Sequence, residues 1–454
     1  MKVLLVRPPR IKQAVTLGEF MYSEPIGLEI VYAMLEENHE VEILDLMTEN
    51  IEIEEKLKHY QPQVVGLTTL CIDVPTVIHL AKRIKDYDPT LITLVGGTQA
   101  FLNSQSFFIE TIDHVMKYTT RKNMEDLFSY LQKGENPPLI DGISSRINGF
   151  QTTAQEGINE YIPPNRKATA KYRNEYSYFG YKPAAIMGTA QGCSKGCHFC
   201  LRWRIEGYGE RYFPMEAVQE EIRSIQEETI MIYDNDFLHS RERLKELCDF
   251  LEKEKIEKNF ICYASVNSIL KNKESIQRFK KLGLKAVLVG YETFKEEELE
   301  EYKKKTSIEE SQEASQFLKK IQVDVWASFM LHPDWDKEDF HRFRRYIKKL
   351  NPEISTFSPL TPFPNLPLYG EYKKRLLFSK EDYERWSFGQ VTIAPSKMSL
   401  RRYYYEILKT HFYVNLFQNN IAYLIRKFGF STLIRLGRGT SNSFWKYMVL
   451  IIKN

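Results

Sequence analysis

Three of the chain's six cysteines fall within eight residues, Cys193-Ser194-Lys195-Gly196-Cys197-His198-Phe199-Cys200. The spacing is C-x3-C-x2-C. Thiolates are the ligands of zinc and of iron–sulfur clusters. A closed structural zinc site takes four protein ligands. This loop offers three sulfurs, and no fourth cysteine is near in sequence. His198 lies inside the loop, where its ring competes with the sulfurs instead of completing a tetrahedron. Three ligands and one open corner suit a cluster whose fourth iron binds something else. A zinc knuckle or a plain reduced-thiol loop is the competing reading. Lys195, Arg202, Trp203 and Arg204 crowd the cysteines; such cations ease reduction of a negatively charged cluster, or they form a solvated basic patch. Cys71, Cys248 and Cys262 lie far away in expected strands or helices and read as small packing residues.

The loop must be delivered by a regular element. Ala184 to Thr189 reads as a strand that ends on it. Beyond it the pattern repeats: helix from Pro214 to Gln226, strand 229–233, helix 241–253, strand 259–264, helix 273–282, strand 285–289, helices over 295–321, strand 324–330, helix 337–350 and strand 353–357. These are six strand–helix units, short of a full eight-unit barrel. Chemistry in such barrels sits at the carboxyl ends of the strands. Those ends carry Asp234-Asn235-Asp236-Phe237, Ser265-Val266-Asn267, Gly290-Tyr291-Glu292-Thr293, His332-Pro333 and Thr361-Pro362-Phe363-Pro364. An Asp or Asn after a strand is most often a turn or helix cap, and Asp236 is read that way.

Upstream, Lys2–Arg7 is an apolar run ending at Pro8-Pro9. Strands follow at 39–45, 64–69, 91–95 and 114–118, with helices at 26–37, 74–87 and 123–132. The alternation predicts a parallel, doubly wound sheet whose ligand sits at the strands' carboxyl ends. Those ends carry Thr68-Thr69-Leu70 and Gly96-Gly97-Thr98-Gln99. Residues 142–181, with Pro163-Pro164, read as a linker.

The cysteine spacing, the aromatic Phe199 before the last Cys and the preceding strand resemble the radical S-adenosylmethionine (SAM) superfamily. The first 141 residues resemble the cobalamin-binding domain found ahead of many radical SAM domains. The matching features are Pro8-Pro9, Pro25-x-Gly27-Leu28, Val41-x-Ile43-Leu44-Asp45, Thr68-x-Leu70 and Gly96-Gly97. The resemblance implies a Rossmann-like α/β domain over 1–141, a partial (β/α)6 TIM-like barrel over 182–378 and a mostly α cap over 379–454. It implies a [4Fe-4S] cluster on Cys193, Cys197 and Cys200, and SAM near Phe199, Asp234, Asn235, Ser265 and Glu292. It implies cobalamin (B12) near Pro9, Thr68, Thr69, Leu70, Gly96, Gly97 and Gln99. The Asp-x-His-x-x-Gly motif that supplies histidine to cobalt is absent, so the implied cobalamin is not held by histidine below. Where the family has Gly-x-Pro, this chain has His332, read as a substrate contact. The implied activity is C-methylation of an unactivated carbon in a lipid or natural-product precursor. The resemblance couples a 5′-deoxyadenosyl radical to methylcobalamin, with an electron from a flavodoxin- or ferredoxin-type donor. A radical SAM/cobalamin cyclase and a non-catalytic corrinoid and iron–sulfur binding protein are the alternatives.

At 454 residues the chain is long enough for two or three domains. A net charge of +3 implies no global steering toward nucleic acid. Six cysteines in this length do not form a disulfide framework. The N-terminal apolar run is too short for a signal peptide. No apolar run reaches membrane-span length. The expectation is therefore a cytoplasmic protein. The end of the chain differs: residues 397–453 hold ten Lys and Arg against one acid, Glu406, with aromatics interleaved. Tyr413, Leu416, Phe417, Leu424 and Phe428 share one helical face. The region reads first as a cap on the barrel, then as contact with the inner face of a membrane, and last as an RNA surface.

Overall fold

The structure, a computed structural model, describes residues 1–9, 21–151, 160–418 and 421–453. They form two compact units, one of residues 1–9, 24–151, 160–175 and 381–385, the other of the rest.

The first unit is built on six strands: β1 (Lys2–Arg7), β2 (Glu40–Asp45), β3 (Val64–Thr68), β4 (Ile92–Gly96), β5 (His114–Met116) and β6 (Ile143–Ser145). Their order is β2-β1-β3-β4-β5-β6, parallel except for the β5–β6 pair. Helices α1 (Ile26–Leu35), α2 (Ile53–Tyr60), α3 (Val74–Tyr87) and α4 (Arg121–Lys133) connect them. The sheet is buried on both faces, which is why β1 is apolar throughout and does not alternate. Leu4 and Val6 enter one core with Val77 and Ala81; Val3 and Leu5 enter another with Leu28 and Leu127. A Thr120–Asn123 capping box starts α4 and Gly134 ends it.

Residues 142–175 are not a free linker. β6 adds to the sheet, and Arg166–Glu175 coils onto the unit through Tyr172, whose hydroxyl takes the Asp45 N–H at 3.3 Å and donates to Glu49. These contacts are all remote in sequence, and the segment has no apolar period to reveal them. Residues 152–159 of the expected linker lie outside the described residues. Residues 381–385, expected in the cap, also fold here, with the Tyr383 hydroxyl 2.9 Å from Ser106 Oγ.

The second unit holds β7 (Ala184–Met187), β8 (Thr229–Ile232), β9 (Asn259–Ala264), β10 (Leu284–Glu292), β11 (Asp324–Leu331) and β12 (Ile354–Pro359). Each strand pairs in parallel with the next, and β7 and β12 are the open edges. The intervening helices include α5 (Met215–Ser224), α6 (Arg241–Glu254), α7 (Lys273–Lys281), α8 (Ile308–Lys320) and α9 (Lys337–Leu350). This is the partial (β/α)6 barrel. Ser240, Ser307 and Asp336 cap α6, α8 and α9 through their side chains.

The chain ends in α10 (Leu400–Tyr413) and α11 (Ile421–Lys453), the latter broken at Gly429. Both pack on the barrel, in keeping with a cap. Tyr403, Tyr404, Ile407 and Leu408 are buried against it, and Tyr423 donates to Asp324 at 2.6 Å. The single helical face drawn through Tyr413, Leu416, Phe417, Leu424 and Phe428 does not form. A π-helical turn over Val414–Gln418 rotates Leu416 and Phe417 outward while Leu424 is buried.

The cap is tied down by a buried ion pair, Arg344 Nη1 to Glu406 at 3.2 Å, with Arg402 at 2.9 Å on the other carboxylate oxygen. Removing one partner of such a pair leaves a buried unpaired charge, at a cost of about 3–5 kcal/mol. Glu406→Ala is therefore expected to lower stability by about that amount, read by chemical denaturation. A loss below about 1 kcal/mol is what an exposed pair gives, and would contradict the assignment.

Candidate active site

β7 delivers the cysteine loop to the carboxyl end of the barrel. Buried Asp234, after β8, holds the loop's base: Oδ1 takes the N–H of Thr189 at 2.6 Å and of Ala190 at 3.2 Å, while Oδ2 takes the Thr189 hydroxyl. Burial pushes the Asp234 carboxyl up to about 6 against these donors. Asn235 pins the next turn, donating to Gly192 O at 2.8 Å and Glu206 at 2.7 Å while Oδ1 accepts from Arg202. Gly192 has φ +86, and a Cβ there would sit 2.0 Å from Gly209 O. Ser194 donates to Glu210 from both its N–H and its hydroxyl, at 3.1 and 2.7 Å. Trp203 Nε1 donates to Cys197 O at 2.9 Å. Every turn of the loop is thus fixed from outside it.

The three thiols lie within electrostatic reach of one another, pair by pair, and burial raises all three above the ordinary thiol range. Among the described residues no three His, Cys, Asp or Glu side chains converge as ligands of a single metal ion. A cluster makes no such demand, because each sulfur binds a different iron. The loop therefore fits a [4Fe-4S] cluster, for which Cys193, Cys197 and Cys200 would be the ligands.

Opposite Cys197 and Cys200 stands a pair that the sequence showed only by half. Glu292 ends β10 at a register shift, with φ +66, and Lys304 Nζ lies 2.6 Å from its carboxylate. A non-glycine residue held in the left-handed region is strained, and such residues cluster at functional sites. Burial alone would lower the Lys304 ammonium; Glu292 and the thiolates of Cys197 and Cys200 raise it instead. Lys304 also lies 5.9 Å over the Phe199 ring, and Phe199 meets Tyr302 edge-on. Tyr302 O accepts the His198 N–H at 3.2 Å, so the segment 302–304 is docked on the cysteine loop. Nothing local in the sequence marks Lys304, because it reaches the site by a loop far along the chain.

One unit charge about 8 Å away is worth about 2 kcal/mol at an effective dielectric of ~20. Lys304→Met is therefore expected to make the cluster harder to reduce by on the order of 50–100 mV, read by a redox titration followed by electron paramagnetic resonance. An unchanged potential would place the ammonium's work elsewhere.

The other expected residues are engaged locally. Ser265 caps its helix and donates to Asp236 at 2.8 Å, and Ser268 donates to the same carboxylate at 2.7 Å. Asp236, expected as a turn or helix cap, makes no side-chain cap bond on its own turn; its carboxylate instead ties the end of β8 to the helix after β9. His332 is nearly buried: Nδ1 takes the Asp334 N–H at 3.1 Å, and Nε2 faces Glu301 at 3.3 Å and the Tyr372 hydroxyl at 3.2 Å. It borders a cavity of about 310 Å³ lined by Lys295, Glu298, Asp334, Arg342 and Lys397. That lining suits a charged group more than an apolar one.

In the first unit, strand order reverses between β1 and β3, which is where ligands of doubly wound sheets bind. Pro8-Pro9, Thr68-Thr69-Leu70 and Gly96-Gly97 lie on the adjacent carboxyl ends of β1, β3 and β4. Gly97 has φ +96, and a Cβ there would come within 2.8 Å of Thr68 Oγ1 and 2.9 Å of Thr69 N. Gln99 N–H donates to Thr69 O at 3.2 Å, closing the turn. Leu70 stands out as an exposed apolar ledge, while Thr69 and Gln99 are buried. Bare backbone beside an apolar ledge fits the broad, largely neutral tail of a corrinoid. Burial pushes the Cys71 thiol up to about 12, so it stays a neutral packing group.

The radical SAM superfamily model matches residues 187–347, and the B12 binding domain model matches residues 20–127. The chain thus carries a B12 binding domain followed by a radical SAM domain, the order seen in cobalamin-dependent radical SAM enzymes. The radical SAM domain implies SAM and a [4Fe-4S] cluster, and the B12 binding domain implies cobalamin. The chain is 27% identical to the hopanoid C-3 methylase of Methylococcus capsulatus, over 98% of this chain and 87% of that protein. The fold matches the cobalamin-dependent SAM radical enzyme OxsB with a TM-score of 0.73 at 15% identity, covering 98% of this chain and 72% of that one. It matches the radical SAM methyltransferase TsrM from Kitasatospora setae with a TM-score of 0.66 at 15% identity, covering 90% of this chain and 88% of that one. Among the described residues no helix is long and apolar enough to cross a membrane.

Proposed function

We propose that the protein is a C-methyltransferase acting on an unactivated carbon of a lipid or lipid-like natural-product precursor. The observation that carries the proposal is the near full-length match to a hopanoid methylase, spanning the corrinoid unit, the cysteine loop and the C-terminal helices together. When bound, the cofactors supply a hydrogen-abstracting radical and a transferable methyl group. The chain supplies position and shelter. Cys193, Cys197 and Cys200 hold the cluster and leave one vertex for SAM. Phe199 and the Glu292–Lys304 pair, beside Cys197 and Cys200, would meet the bound SAM: the carboxylate suits ribose hydroxyls, and the ammonium suits a carboxylate or the cluster's own charge. Asp234 and Asn235 act as positioning residues that keep the loop from moving when the cluster changes charge, and Ser265, bonded to Asp236, lies at the neighbouring strand end where SAM would pass. Thr68, Thr69, Leu70, Gly96, Gly97 and Gln99, with Pro9, form the corrinoid seat. The electron comes from a flavodoxin- or ferredoxin-type protein, in the reducing cytoplasm that free thiols and a cluster require.

The test is anaerobic turnover with reductant, methyl-deuterated SAM and extracted lipids. The expected result is a product carrying the labelled methyl, with 5′-deoxyadenosine formed alongside. An unlabelled product lighter by two hydrogens would indicate the cyclase instead. A protein that binds corrinoid and iron but forms no 5′-deoxyadenosine would be a binding protein and would end the proposal.

A further inference from the structure

The C-terminal helices bury one side and leave the other with an unusual surface. Of the large hydrophobic side chains that are exposed among the described residues, most lie between Tyr405 and Ile452. They fall into two stripes. On α10 and the turn after it, Arg401, Tyr405, Lys409, Phe412 and Leu416 follow at helical spacing, and all five are exposed. On α11 beyond Gly429, Phe430, Ile434, Arg438, Trp445 and Ile452 share a second face, with Phe430 66%, Trp445 70% and Ile452 73% exposed. Cations alternate with large apolar groups along the first stripe, and the second carries one cation, Arg438, among four apolar groups.

The charge is one-sided. Glu406 is the only acid in residues 397–453, and it is fully buried under Arg344 and Arg402. The exposed surface of this region thus presents cations and apolar groups and no anion. Aliphatic and indole groups flanked by Lys and Arg, with no acid between them, are the composition of a surface that lies in a bilayer interface. The apolar side chains enter the acyl boundary while the cations meet lipid phosphates.

We infer that the outer face of α10 and α11 is a docking surface for an anionic lipid bilayer. A second copy of the chain fits less well, because a two-fold contact would set each cationic stripe against another of the same sign. RNA would use the cations and leave Leu416, Ile434 and Ile452 without partners. The inference rests on this surface alone and needs neither SAM nor turnover to be read.

The experiment uses the full chain with its cofactors and vesicles of phosphatidylcholine containing roughly a quarter phosphatidylglycerol. Co-flotation is expected, falling about tenfold at high salt or on pure phosphatidylcholine. The doubly substituted Trp445→Ser, Ile452→Ser protein is expected to bind about tenfold more weakly, with its melting temperature and SAM cleavage unchanged. Brominated acyl chains are expected to quench the fluorescence of the parent protein through Trp445; Trp326, Trp335 and Trp386 are buried, and Trp203 is half-buried with its indole N–H on Cys197 O. Undiminished flotation of the double variant, or flotation without quenching, would overturn the inference. So would a stable dimer that the double variant splits, or RNA binding without vesicle binding. Failure here would leave the proposed methyl transfer standing, and failure of methyl transfer would leave this surface standing.

Discussion

Cys197→Ala is expected to abolish SAM cleavage. Loss of an outer partner to a metal ligand typically costs 10–100-fold in activity or affinity, so loss of a ligand itself should cost at least about a hundredfold. The assay is 5′-deoxyadenosine release under reductant, followed by chromatography. Two further readings separate this from misfolding. Bound iron should fall, while bound corrinoid stays, because the corrinoid seat is built from residues of the other unit. Cys197 lies 7% exposed inside a loop that Trp203, Asn235 and Glu206 pin independently, so an alanine there is expected to leave the chain folded. Retained cleavage would remove Cys197 from the cluster.

Gly97→Val is expected to empty the corrinoid seat. The residue sits at φ +96, a region costly for any side chain and worst for a β-branched one. Its Cβ would press on Thr68 Oγ1 and the Thr69 backbone at 2.8–2.9 Å, and these are the atoms that shape the carboxyl ends of β3 and β4. Corrinoid binding should weaken at least about tenfold, the smallest loss that an overpacking penalty of about 1–3 kcal/mol produces. Absorbance of the corrinoid after desalting reads this. SAM cleavage, which depends on the other unit, should stay within about twofold while methyl transfer is lost. If corrinoid content is unchanged, the seat lies elsewhere. In the unsubstituted protein, reduced corrinoid should show no nitrogen coupling from a lower histidine in its paramagnetic spectrum, since among the described residues no histidine stands at the carboxyl ends of β1, β3 or β4.

What could be read from the sequence was what is local. The cysteine loop is contiguous, so its chemistry is visible in eight residues. The alternation of apolar strands and amphipathic helices placed both sheets. Helix α2 was missed because only Ile53 and Leu57 of its eight residues are buried, too few to show a period. β6 was missed because a three-residue strand carries no alternation to detect. Asp234 and Asn235 were expected beside SAM; what only the folded chain reveals is that their polar atoms are bonded to the base of the cysteine loop. Lys304 illustrates the harder limit. Its value lies in distances to Glu292, Cys197 and Cys200, which only the folded barrel creates. His332 was singled out because it departs from its family's pattern, and the structure places it in a tight network with Glu301, Tyr372 and Tyr403.

The central claim is that three sulfurs of one loop carry a cluster with a vertex reserved for SAM. Iron-57 Mössbauer spectroscopy of the anaerobically reconstituted protein, recorded before and after SAM is added, tests it most directly. One iron site of a [4Fe-4S] cluster should change its isomer shift on SAM binding while the others stay as they were. A spectrum indifferent to SAM, or a preparation that holds zinc in place of iron, would contradict it.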